Sequence, residues 1–84
     1  MGYIFVTFRS RTTSSQAYNF LQSKGINCSL FSTPKQVAVG CGVSVRFAEN
    51  DFSSVLGQLG RNHPNFVGYF RVSDSSKGRV VTPI

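Results

Sequence analysis

Apolar and polar side chains alternate from Tyr3 to Arg9 (YIFVTFR), with Ile4, Val6 and Phe8 on one side and Tyr3, Phe5, Thr7 and Arg9 on the other. This two-residue period, in β-branched and aromatic residues, predicts a strand with one buried face. The period then lengthens. In TSSQAYNFLQSKG, Ala17, Phe20, Leu21 and Lys24 recur at helical spacing, Thr13 and Gln16 have the spacing of a capping box, and Gly25 can supply a left-handed C-terminal cap. Alternation returns in INCSLF, with Ile26, Cys28 and Leu30 on one side, and ends at Thr33-Pro34. A third strand is expected over Gly42 to Phe47, where Val43, Val45 and Phe47 point inward and Ser44 and Arg46 outward. Asn50 and Asp51 suit the start of a second helix carrying Phe52, Val55, Leu56 and Leu59 on one stripe, with Gly60 closing it. FVGYFRV then predicts a fourth strand, with Phe66, Phe70 and Val72 on one face and Val67, Tyr69 and Arg71 on the other.

The order β-α-β-β-α-β predicts an α+β domain of the ferredoxin-like type. Its antiparallel four-stranded sheet, of order 4-1-3-2, carries both helices on one face and leaves the other open. Residues 1–73 are expected to form this one domain. The remainder, 74–84, is expected to be a flexible tail or an extra edge strand.

Composition narrows the partners. Nine Lys and Arg against three Asp and Glu give a formal charge of +6, which favours anionic partners. No apolar run approaches the roughly 18 residues of a membrane span. The opening MGYIFVTF lacks the basic region and cleavage site of an export signal, so a cytoplasmic location with reduced thiols is expected, and no membrane partner. Two Cys and one His do not assemble a zinc site, and no metal or cofactor is expected.

The two cysteines differ in setting. Cys28 shares a face with Ile26 and Leu30 and is expected to be a core residue. The predicted topology puts it and Cys41 toward opposite ends of one hairpin, beyond the roughly 7 Å that a disulfide allows between Cα atoms. Cys41 falls between Gly40 and Gly42, in a loop at the rim where the first helix begins. Arg9, Arg11, Lys35, Arg61 and His63 are expected to gather at that rim, and Glu49 and Asp51 at the other. Nearby cations and a helix N-terminus both favour the ionised form of a thiol, which is the nucleophile. Flanking glycines let another molecule approach the sulfur. Cys41 is therefore either a reactive cysteine or a small inward residue that starts the third strand, because it shares the parity of Val43 and Val45.

The segments YIFVTF (Tyr3 to Phe8), KGI (Lys24 to Ile26), TPK (Thr33 to Lys35), CG (Cys41 and Gly42) and RF (Arg46 and Phe47) together resemble the putative selenium/sulfur carrier protein-like family of small bacterial proteins. The resemblance covers about 70 residues, nearly the whole chain. It implies a persulfide or selenosulfide held on Cys41, with donor and acceptor proteins as partners; such a carrier need not turn over a substrate by itself, so whether the chain is an enzyme stays open. Gly40 and Gly42 would expose the sulfur, and Arg9, Arg11 and Lys35 would stabilise the bound anion. The chain departs from the family in having few acidic residues on the second helix and in its SSKGRVVTPI tail.

Two other functions use the open face of the sheet. One is a homodimer or protein interface. The other is RNA binding, for which Tyr3, Phe5, Phe31, Tyr69, Arg46 and Arg71 would supply an aromatic and basic surface. Against RNA, the third strand has Cys41, Val43 and Val45 where stacking aromatics are needed.

Overall fold

The computed structural model describes residues 2–84. Its elements are β1 (Tyr3–Phe8), α1 (Arg11–Ser23), β2 (Cys28–Ser32), β3 (Val43–Ala48), α2 (Phe52–Leu59), β4 (Phe66–Ser75) and β5 (Gly78–Pro83), with a 3-10 turn at Glu49–Asp51 leading into α2. Every strand pairs antiparallel with its neighbours. The sheet has five strands in the order β2-β3-β1-β4-β5, which corrects the expected four-stranded sheet. Read from β4 to β2, the inner part retains the order 4-1-3-2, and β5 is added outside β4. The addition follows from the turn at 75–78. There the Ser75 hydroxyl accepts from Lys77 N–H and donates to Gly78 O, and Gly78 takes φ +116°. The chain is thus returned along β4, pairing from Gly78 opposite Ser75 to Pro83 opposite Phe70.

The core lies between the sheet and the two helices. Ile4, Val6 and Phe8 of β1, Val45 and Phe47 of β3, Cys28, Ala17, Leu21, Val55 and Tyr69 form one buried cluster. Helix α1 starts earlier than its capping-box spacing suggests: Ser10 is the N-cap, its hydroxyl accepting from Thr13 N–H at 3.4 Å. Extended backbone at Ser10 (φ −128°, ψ 133°) lets the chain leave β1 and enter the helix at once. Gly25 (φ +79°) follows the C-terminal end as expected. Helix α2 has no side-chain cap, because the 3-10 turn runs straight into it, and neither Asn50 nor Asp51 caps it. Among the described residues no helix is long and apolar enough to cross a membrane.

A β-bulge changes which residues face the core. Thr7 pairs with Gly68 and Phe8 with Phe66, so Val67 is an extra residue on β4. Phe66 packs against the core, yet Phe70 and Val72, of the same sequence parity, lie on the sheet face away from the helices, and Tyr69 turns inward. This corrects the assignment of Tyr69 and Arg71 to the open face. Tyr69 is 1% exposed and its hydroxyl donates to Gly60 O at 2.9 Å, while Arg71 donates to Glu49. Phe70 instead stacks on Phe5 at 5.2 Å, and Gly68 makes room for its ring: a Cβ there would stand 3.2 Å from Phe70.

Candidate functional site

The loop from Thr33 to Gly42 closes over one end of the sheet. Thr33 N–H donates to Gly42 O, and Cys41 N–H donates to Phe8 O at the end of β1, both at 3.0 Å. The loop covers Thr7 and Ser44, both fully buried; the Ser44 hydroxyl is shared with Thr33 at 2.5 Å, whereas the Thr7 hydroxyl has no partner among the described residues. Gly40 passes so close over β1 that a Cβ would lie 3.0 Å from both Phe8 O and the Thr7 hydroxyl, and its φ is +103°. Gly42 also turns at positive φ (+85°), with open space where a Cβ would be. These conformations suit glycine alone and fix where the intervening sulfur points.

That sulfur lies on the helix side of the rim, against the first turns of α1. The Cys41 thiol donates to Val43 O at 3.4 Å and sits 3.7 Å from the hydroxyl of Ser14. Ser14 is fully buried and donates to the same Val43 carbonyl at 3.0 Å. Cys41 is half-buried and Cys28 buried; both are free. Burial pushes the Cys28 thiol up from its ordinary range, and its nearest polar contact is Tyr18 O at 3.8 Å.

The expected cations divide between two places. Arg9 follows the residue whose carbonyl receives Cys41 N–H, and its own N–H donates to Asn65 O at 2.8 Å. Arg11 is the first residue of α1, one turn before Ser14 on the same helix. Both are exposed, and no acidic residue occupies the first turn of α1. Lys35, in the same loop as Cys41, lines a groove on the opposite sheet face with Tyr3, Phe31 and Arg46. Arg61 lies over the Tyr69 ring at 5.1 Å. His63 is exposed, accepts from Asn65 N–H through Nδ1 and meets Phe8 edge-on. Among the described residues, no cluster of His, Cys, Asp and Glu suitable for a metal ion forms.

Ser14 is the site residue that sequence reasoning missed. It sits in the polar run Thr12 to Gln16, and nothing in that run marks one hydroxyl as buried. The only available signal was its spacing, three residues before Ala17 and seven before Leu21, on the stripe that packs against the sheet.

Gly40→Ala is expected to lower stability by about 1–3 kcal/mol, because the new Cβ must displace the loop or strain its backbone. Urea denaturation checks this against Gly25→Ala, which has positive φ but open space. Equal losses in the two variants would show that close approach to β1 contributes nothing.

The family model described as putative Se/S carrier protein-like matches residues 3–71. No curated protein and no solved structure matches the chain.

Proposed function

Because the chain belongs to the putative Se/S carrier protein-like family, we propose that it carries sulfur or selenium on Cys41, as a persulfide or selenosulfide, between a donor and an acceptor protein. The observation that supports this most is the contrast between the thiols. Cys41 is accessible, held between two positive-φ glycines at the head of a helix, and Cys28 is buried in the core. The Cys41 sulfur attacks the terminal sulfur of a donor persulfide. A bond forms between Sγ and that sulfur, the donor's S–S bond breaks, and the donor cysteine leaves as a thiolate that receives the proton lost by Cys41. Cys41 rises to the persulfide level as the donor falls to a thiol, so the exchange needs no outside oxidant. Delivery repeats the step in reverse, with an acceptor thiolate attacking the outer sulfur or selenium.

The surroundings suit the anion that loading creates. The head of α1 carries partial positive charge, lacks acidic residues and has Arg9 and Arg11 beside it. Ser14 acts as a positioning residue. With the thiol intact its proton goes to Val43 O; once Cys41 is anionic, the same hydroxyl can rotate to donate to sulfur. Lys35, on the other sheet face, takes no part in this step.

Ser14→Ala is therefore expected to slow persulfide loading about tenfold, the worth of one hydrogen bond to a charged acceptor. Thr13→Ala is the control. It removes the hydroxyl that accepts from Asn65 Nδ2 at 3.0 Å one residue earlier, and it should leave loading within about twofold despite a similar loss of stability. Loading is followed by intact mass after timed exposure to a persulfide donor. Equal slowing in both variants would reduce Ser14 to a packing role.

A further inference from the structure

The sheet face away from the helices is not flat. The loop after β2 and the β4–β5 turn rise on either side of it and enclose a groove of about 1010 Å³. Tyr3, Phe31 and Arg46 are among the residues that line it, and Lys35 and Arg79 stand on its walls. The Arg46 guanidinium lies 5.5 Å from the Tyr3 ring centre and 5.4 Å from that of Phe31. Phe5 is fully buried, enclosed by the edge-on ring of Phe31 and the stacked ring of Phe70, so it supports these rings without offering a surface of its own. Asp74 is the one acidic residue lining the groove among the described residues, and it lies 3.9 Å from Arg79.

We propose that this groove binds a short stretch of single-stranded nucleic acid. The Tyr3 and Phe31 rings meet edge-on (80° between their planes), so its bases stack singly, on the Arg46 guanidinium and on the open part of each ring, and its phosphates are met by Lys35 and Arg79. Three cations against one carboxylate call for an anionic occupant, and partly exposed rings paired with a guanidinium suit one that also has flat faces. A second copy of the chain is disfavoured, because a two-fold pairing of this face would set a patch of three cations and one carboxylate against a patch of the same net charge. An acidic protein segment would satisfy the cations but leave the aromatic surface unused. The one aromatic of β3, Phe47, is buried in the core, so no ring of that strand faces the groove and the site is restricted to a few bases along β1 and β2, in keeping with the size of the groove.

The test is fluorescence polarisation with a labelled oligouridylate of about eight nucleotides, titrated over a range of salt. Three cations predict a slope of log affinity against log salt of about −2, which should shrink to about −0.7 when Lys35→Ala and Arg79→Ala are combined. Tyr3→Leu should weaken binding about fivefold or more without changing the slope, and Asp74→Asn should strengthen it. Cys41→Ser should leave all of these values unchanged, so the fate of this proposal is independent of the carrier reading. No binding at low salt overturns it. So does polyglutamate bound as tightly as the oligonucleotide with Tyr3→Leu having no effect, which would make the groove a docking surface for an acidic protein.

Discussion

Cys41→Ser is expected to abolish loading by a persulfide donor, whereas Cys28→Ser should keep the full yield of one added sulfur per chain. The contrast follows from access. Cys41 lies at the surface of the rim, and attack on a donor's outer sulfur requires the two sulfurs to meet. Cys28 is 7% exposed behind α1, where burial also disfavours its ionised form. A serine at Cys28 keeps the size of the group and can donate to Tyr18 O as the thiol does, so the variant should fold, at a cost of about 1 kcal/mol. Intact mass after reaction, followed by peptide mapping, reads the result. Sulfur retained by Cys41→Ser, or loading of the wild type only after denaturation, would remove the chemical basis of a carrier and leave Cys41 as a packing residue.

The second large effect concerns alkaline stability. Burial pushes the Tyr69 hydroxyl up to about 12 from 10.0, with nearby Arg61 opposing part of the shift. Between these values the unfolded chain gives up a proton that the folded chain keeps, so raising the pH favours unfolding. The stabilisation is complete below about pH 10 and is lost progressively toward pH 12. The difference of two units amounts to about 2–3 kcal/mol, a large share of the stability of so small a domain. Cys28, also raised by burial, adds to the loss in the same direction and begins at lower pH, since its ordinary value is 9.0. Urea midpoints measured from pH 9 upward should fall for the wild type and fall much less for Tyr69→Phe, which keeps the ring but has no proton to lose. Parallel curves for the two proteins would assign the loss to other groups.

The sequence told more about elements than about which way residues face. Strands β1 and β3 announce themselves because a period of two survives intact in Ile4, Val6 and Phe8 and in Val45 and Phe47. Strand β4 hid its bulge. With Phe66, Gly68, Phe70 and Val72 at even spacing, nothing reveals that one residue is extra, and plain alternation assigns every side chain after the bulge to the wrong face. The cap of α1 was ambiguous for a simpler reason: Ser10 and Thr13 are both hydroxyl residues, and only the point at which the chain leaves β1 decides between them. At the candidate site, glycines on both sides of Cys41 were enough to suggest a presented thiol. Lys35 was not decidable in the same way, because a loop of about ten residues can send its side chains to either face of a sheet, and the bond from Cys41 to Phe8 that sets its course spans 33 positions of the chain.

The segment matched by the family ends at Arg71, partway along β4, and β5 lies wholly beyond it. This strand changes what the molecule shows its neighbours. Without it, the outer side of β4 would present a row of unanswered amide and carbonyl groups with Phe70 and Val72 nearby, the kind of border on which other chains grow into aggregates. The border β5 offers instead is harder to extend, since Pro83 cannot donate a hydrogen bond and Arg79 and Thr82 keep it charged and wetted. A hairpin of so few residues thus acts as a selvedge, keeping a sheet rich in phenylalanine from continuing into the next molecule.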